Sequence, residues 1–305
     1  MNAATALAAR ACPLCGSTDE ARVLAEANLV PEKLDRYAFA SRKMPEFMHH
    51  RLVLCPRCDL LYASPIPDPE VLAAAYRGAA FDSGDEAHYA SRTYGTFLPA
   101  LAVRLADQQG ALDIGTGDGA FLEQLLAAGF KGVVGIEPSP EAIAAARASI
   151  RPLVVPGVFK SGVFPERSYS LVTCFQTIEH VSDPLEMCSE AYKLLKRNGA
   201  LFLIGHNRRA LANRLLGRKS PIYDLEHLQL FSPQSARFLL ERAGFSGIEL
   251  RALTNCYPLH YWLKLLPLPN ALKRPIVGLL RGRAIGRLPI ALPVGNMAIV
   301  GYRRE

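Results

Sequence analysis

No run of about 18 uncharged apolar residues occurs in the chain, so no segment is suited to cross a membrane as a helix. The alanine-rich opening lacks the basic flank that precedes the apolar stretch of a secretion signal, and residence in the cytoplasm is the expectation. Internal repeats and low-complexity tracts are missing, which excludes a solenoid and a repetitive linker protein. Charge is modest at 21% of residues against 50% hydrophobic, a balance that excludes global disorder. The net +7 is spread out apart from a concentration near the C-terminus, a weak pull toward acidic partners. Cysteine is sparse, seven in 305 residues, yet four fall in two CxxC pairs. That usage fits thiols that bind metal in a reducing compartment better than a secreted disulfide framework.

What is present has the length of one α/β domain with a small appendage. Residues 1–66 hold the cysteine pairs and no sustained helical period, and are expected to form a loop-rich module. Residues 67–305 form the main domain, with Asp68 and Pro69 as its first helix start. Helical patterns up to residue 109, interrupted by a polar loop near Gly78–Gly84, lead into the sheet. Apolar runs then alternate with amphipathic stretches, as in βαβ units. The predicted strands are Ala111–Gly115, Val133–Glu137, Leu153–Pro156, Ser170–Phe175, Ala200–Gly205, Ile248–Leu253 and Met297–Tyr302. Ser139 with Pro140, Asp183 with Pro184 and Ser232 with Pro233 mark helix starts between them. Gly199 and Gly244 sit where helices must stop.

The segment Leu112-Asp113-Ile114-Gly115-Thr116-Gly117-Asp118-Gly119 leaves a strand and enters a helix. Glycines there let the backbone turn tightly and approach a ligand, beside the free N–H groups of a helix N-terminus. Glu137, about 20 residues on at the next strand tip, can accept both hydroxyls of a ribose. With Ala120 the turn is also readable as a dinucleotide fingerprint. Asp113 separates the two readings, because its charge opposes a pyrophosphate and suits the ammonium of a methionine moiety.

LDIGTGDGAF, GIEPSPEAI, SLVTCFQTIEHVSDP and LLKRNGALFLIG, followed by EHLQLFSP and LLERAGFSGIEL, resemble the successive motifs of class I S-adenosylmethionine-dependent methyltransferases over roughly residues 110–305. The resemblance implies a Rossmann-like α/β fold, with a seven-stranded sheet whose last strand, Met297–Tyr302, inserts antiparallel next to the sixth. It further implies that Asp113, Gly115 and Gly117 line the methionine side, that Glu137 holds the ribose with Pro138 beside the adenine, and that Gln176 and Thr177 face the sulfonium. Ser170 stands where the fourth strand of that family often opens with an aspartate. It falls at the end far from the ligand, so little consequence is expected.

Cys12-Pro13-Leu14-Cys15 and Cys55-Pro56-Arg57-Cys58 are two knuckles whose four thiolates complete a closed tetrahedral zinc site. Some 39 residues separate them, so the intervening segment must loop out or fold on its own. The string from Cys55 to Pro67 is similar to the zinc-ribbon entry of bacterial methyltransferases acting on sugars and on secondary-metabolite or cell-surface precursors. Cys174, Cys188 and Cys256 are expected to pack.

Methyl transfer is an in-line displacement at a sulfonium carbon. The enzyme must align the nucleophile and, for a hydroxyl or carbon acid, remove a proton. His180 follows the fourth strand on the ligand side of the sheet. His227 lies in the variable segment after the fifth strand, and its likeness to the Tyr…Glu-His arrangement of sugar C-methyltransferases makes Tyr223, Glu226 and His227 the preferred acceptor-side set. His206 and Asn207 end the fifth strand beside it. Residues 206–232 and 254–295 are the expected acceptor-side and lid segments.

Within residues 257–293, Trp262, leucines and prolines mix with Lys264, Lys273, Arg274, Arg281, Arg283 and Arg287. A lid with a solvated face is the first reading, since prolines should break any long amphipathic helix. Contact with an anionic membrane, or with a lipid-linked or phosphorylated acceptor, is the second.

The expected activity is O-methylation of a small-molecule acceptor such as a sugar, cell-surface or secondary-metabolite precursor. Sugar C-methylation is the alternative, although enzymes of that group usually carry a further C-terminal domain. An RNA methyltransferase or a silent cofactor-binding protein are other classes. No nucleic-acid partner is expected, for want of an aromatic-studded basic surface on the module or an Asn-Pro-Pro-Tyr-like motif.

Overall fold

The computed structural model describes residues 7–18, 21–30, 39, 45–81 and 84–304. The first six residues of the alanine-rich opening, and residues 82–83 of the loop expected near Gly78–Gly84, lie outside them. In chain order the strands are β1 (Leu7–Ala8), β2 (Arg22–Ala25), β3 (Leu52–Leu54), β4 (Leu61–Ala63), β5 (Ile66–Pro67), β6 (Gln109–Ile114), β7 (Lys131–Glu137), β8 (Val154–Pro156), β9 (Tyr169–Phe175), β10 (Leu195–His206), β11 (Gln229–Leu230), β12 (Ser246–Pro258) and β13 (Pro289–Tyr302). The helices are α1 (Pro69–Arg77), α2 (Gly84–Gly95), α3 (Leu98–Ala102), α4 (Ala120–Ala127), α5 (Pro140–Ala145), α6 (Pro184–Leu194), α7 (Leu211–Leu216), α8 (Pro233–Arg242), α9 (Leu259–Leu265) and α10 (Asn270–Arg281).

Seven strands form the main sheet in the order β12-β13-β10-β9-β6-β7-β8. β13 runs antiparallel to both β10 and β12, and β10, β9, β6, β7 and β8 are mutually parallel. β9 is buried along nearly its whole length, as a central strand covered on both faces must be. The helix starts expected from sequence are capped as their chemistry requires. The side chains of Asp68, Ser139, Asp183 and Ser232 each accept a backbone N–H from the first turn, with proline following in every case. Gly244, at φ +96°, follows α8. Gly199 instead sits inside β10, within the register irregularity between Leu195 and Ala200, because α6 has already stopped at Leu194.

The N-terminal module does not depend on metal alone for its order. Its small sheet runs β11-β4-β3-β2, and β11 comes from the loop beyond β10. Leu14, Val53, Leu60 and Tyr62 share one core cluster with Ile114, Val172 and Leu203 of the main sheet. Arg10 stitches the same boundary, donating to the carbonyls of Ala63, Ser182 and Leu228.

β12 and β13 extend beyond the expected Ile248–Leu253 and Met297–Tyr302. Their ladder continues to Pro258 opposite Pro289, with α9 and α10 inserted between them. Pro289 opens the strand, and Pro293 falls where the register jumps between Leu253–Asn296 and Asn255–Leu292, the positions a sheet tolerates. Prolines were expected to break any long amphipathic helix here, yet Pro275 does not interrupt the 12-residue α10. Lys273 anchors it, with Nζ donating to the carbonyls of Lys264 and Leu266 at 3.1 and 2.9 Å.

Candidate active site

β6 ends in the glycine turn and β7 ends at Glu137, so parallel pairing brings the two tips together. Asp113 is buried, and the Thr173 hydroxyl from the neighbouring strand donates to its Oδ1 at 2.6 Å. Burial pushes the Asp113 carboxyl up to about 6, against the opposing hydrogen bond from Thr173. Gly115, at φ +72°, has no room for a side chain, since a Cβ there would lie 2.5 Å from Thr177 Oγ1. That contact closes the β6 and β9 turns on each other. Glu137 Oε2 accepts from Gly117 N at 2.8 Å and Oε1 from Ser139 N at 2.9 Å. Burial raises its carboxyl above the usual value, opposed by these two N–H donors.

One cavity of about 1080 Å³ runs from this cradle across the carboxyl ends of the strands to the loops after β10. That exceeds the roughly 300–1,000 Å³ of an ordinary ligand pocket, so a nucleoside cofactor leaves space for an acceptor. Its wall is acidic, with Asp113, Glu137, Asp183, Glu186, Asp224 and Glu226 against Arg77 and Lys160, which favours a cationic occupant. Gln176 lines it at φ +52°, a left-handed backbone uncommon outside glycine and frequent at functional sites. Among the described residues, buried Gln176 Nε2 and Asn255 Oδ1 have no hydrogen-bond partner, and both residues line the cavity. Buried polar atoms left in that state point to a ligand.

At the far end three histidines converge. The His227 ring lies 5.0 Å from the rings of both His180 and His206. His227 Nδ1 is 2.7 Å from the Ile222 carbonyl, which can only accept, so Nδ1 carries the proton and Nε2 the basic lone pair. His206 Nδ1 lies 2.8 Å from Asn296 Oδ1. His180 Nδ1 meets Tyr76 OH at 2.8 Å and Glu226 Oε2 at 3.4 Å. Burial works to lower the His180 pKa, yet Glu226 and the surrounding carboxylates carry it above the usual value.

Of the residues expected from sequence, Asp113, Gly115, Gly117, Glu137, Pro138, Gln176 and Thr177 line one part of the cavity and His180, Glu226 and His227 the other. Tyr223 is not among the lining residues. It packs against the cluster around Leu52, Leu61 and Ile222, because its neighbours Ile222 and Asp224 take the cavity side of the loop. The tyrosine that reaches the histidines is Tyr76 of α1. Nothing local in the sequence singles it out beyond its place in a helix leading into the sheet. Asn255 and Asn296, on the extended β12 and β13, were also not apparent.

The four knuckle sulfurs come together, with every ligand atom within 4.8 Å of the others. The close pairs run between the knuckles, Cys12–Cys58 at 3.4 Å and Cys15–Cys55 at 3.5 Å, and none is in a disulfide. A tetrahedral zinc with sulfurs at about 2.3 Å needs S···S separations near 3.8 Å, so this set fits a metal. Each knuckle closes with an N–H four residues on, Gly16 to Cys12 O and Asp59 to Cys55 O, both at positive φ. Glycine takes that conformation freely, and Asp59 is held in it by ion pairs to Arg208 and Arg209. The second knuckle therefore grips the segment immediately after His206. Cys174 and Cys188 are buried and Cys256 is half-buried.

This geometry defines a class I methyltransferase, and comparison with known proteins agrees. Residues 87–250 match the methyltransferase-domain family, and the chain belongs to it as an S-adenosylmethionine-dependent methyltransferase. Ubiquinone biosynthesis O-methyltransferase of Proteus mirabilis is 30% identical over 161 residues, 49% of this chain and 64% of that protein. The chain thus spans slightly less than two thirds of that relative. The YcgJ protein from Bacillus subtilis is similar in structure, with a TM-score of 0.50, 19% identity and coverage of 70% of this chain and 99% of that one. A SAM-dependent methyltransferase from Thermotoga maritima gives a TM-score of 0.47 and 21% identity over 72% and 92%. The Bacillus structure shares the fold of this chain. Among the described residues no helix is long and apolar enough to cross a membrane.

Proposed function

We propose that the enzyme methylates an oxygen of a hydroxylated small molecule, a sugar or a related cell-surface or secondary-metabolite precursor, with His227 as the general base. The observation that carries this reading is the continuous cavity joining the Asp113–Glu137 cradle to the histidine cluster, where the Ile222 carbonyl fixes the His227 tautomer. Bound S-adenosylmethionine supplies an electrophilic methyl group. Glu137 receives the ribose hydroxyls, Asp113 the ammonium, Gly115 and Gly117 allow the backbone to approach, Pro138 flanks the adenine, and Gln176 and Thr177 face the sulfur end.

The acceptor oxygen attacks the methyl carbon as the carbon–sulfur bond breaks and the sulfur keeps the electron pair. The hydroxyl proton passes to His227 Nε2. His180, held by Glu226 and Tyr76, packs against the neighbouring ring, and Glu226 favours its charged form, which suits an oxygen that becomes more anionic as it loses its proton. The Proteus relative, named for O-methylation, supports the choice of oxygen over carbon. The four cysteines hold a structural zinc, the module boundary lies near residue 66, and thiol ligands suit the reducing cytoplasm.

The test is His227→Ala, assayed with methyl-labelled S-adenosylmethionine against a panel of phenolic and sugar hydroxyl acceptors. The expected result is a loss of turnover of about 10²-fold or more with cofactor affinity unchanged. Full turnover would exclude His227 as the base.

A further inference from the structure

The insert between β12 and β13 combines a dense exposed apolar surface with one sign of charge. Leu268, Leu272, Ile276, Leu279, Ile285 and Leu288 are each about half exposed or more. Leu272, Ile276 and Leu279 recur at the i, i+4, i+7 spacing and form a single stripe along α10. Leucines left in solvent at this density are unusual on a protein surface unless something covers them. The charge that the insert itself carries is wholly positive. From Leu250 to Arg304 the chain has no aspartate or glutamate, although it holds 28 of them in all, and Arg274, Arg283 and Arg287 are exposed here. The carboxylate that packs against the insert from α2, Glu86, is buried on His260 rather than turned to solvent.

The same surface borders the active-site cavity. Leu266 and Leu292 line the cavity and are also exposed, as is Leu216 of α7, so all three stand at its mouth. Leu211 and Leu215 of the same helix α7 are also exposed.

We infer that this face docks on an anionic phospholipid bilayer, with α10 lying in the headgroup region and the cavity mouth turned toward the lipid. Leucines enter the acyl boundary while arginines meet the phosphates, the arrangement of an interfacial helix rather than of a spanning one. A second copy of the chain would cover leucines equally well, but it would set arginine against arginine on the same patch. The bilayer supplies the missing negative charge. This inference concerns where the enzyme works and does not depend on which acceptor atom is methylated.

Co-sedimentation of the full, zinc-loaded protein with phosphatidylcholine vesicles, with and without phosphatidylglycerol, tests it. Binding is expected to the anionic vesicles, weakening by about tenfold or more in the triple variant Leu272→Gln, Ile276→Gln, Leu279→Gln. A similar loss is expected in Arg274→Glu, Arg283→Glu, Arg287→Glu. Both variants should keep wild-type affinity for S-adenosylmethionine, which shows that they are folded. No binding to anionic vesicles would overturn the inference, as would equal binding to both vesicle types or binding indifferent to the substitutions. A solution dimer that the leucine variant dissociates, without any vesicle binding, would assign the face to a second copy instead.

Discussion

Replacing Glu137 with glutamine changes one atom in the cofactor cradle and should cost most of the affinity for S-adenosylmethionine. The carboxylate already accepts Gly117 N and Ser139 N, one on each oxygen. Each oxygen keeps a further lone pair for a ribose hydroxyl. A hydrogen bond to a charged group contributes about 1.5–3 kcal/mol, so the two together are worth about 3–6 kcal/mol. Glutamine retains one neutral acceptor oxygen, and its amide NH2 must confront one of the two backbone N–H donors. A loss of about 3 kcal/mol, roughly 10²-fold in affinity, is the lower expectation. Calorimetric titration at mildly alkaline pH, where the raised Glu137 carboxyl is ionised, measures it. A folded variant that binds within about threefold of wild type would refute the ribose assignment.

Asp113 predicts a pH dependence of stability in the cofactor-free protein. With its carboxyl held at about 6 by burial, the folded chain keeps a proton that the unfolded chain releases from its ordinary value upward. This group therefore favours folding in acid and loses about 3 kcal/mol of that contribution as pH rises from about 4 to 6. In Asp113→Asn, denaturant titrations across that window should lose this slope, and an unchanged slope would show that Asp113 is not its source. Cys55→Ser should abolish stoichiometric zinc by elemental analysis and loosen the module. It should also depress turnover more than cofactor affinity, because Asp59 and Arg10 link the module to the segments carrying His206 and His227. A wild-type protein without bound zinc, or a variant with full turnover, would contradict that reading.

The elements legible in the sequence are those whose physics is local. A glycine turn followed by an acidic strand tip, proline behind a capping side chain, and paired cysteine knuckles each declare themselves within a few residues. Contacts made across the chain were hidden. Tyr76 reaches His180 over a hundred residues, and β11 completes the sheet of the N-terminal module. Asp59 owes its backbone conformation to arginines after β10. The sequence put the loop around His227 near the ligand end of the sheet, but the alternation within it, with Glu226 and His227 lining the cavity and Tyr223 packing with the cluster around Leu52 and Leu61, follows from tertiary packing. Proline misled inside the Lys273-anchored α10, which runs through Pro275.

The most direct test is the structure of the protein in complex with S-adenosylhomocysteine. The account predicts the ribose on the Glu137 carboxylate and the sulfur directed along the cavity toward the rings of His180, His206 and His227. A nucleoside seated elsewhere, or a sulfur turned away from the histidines, would contradict it.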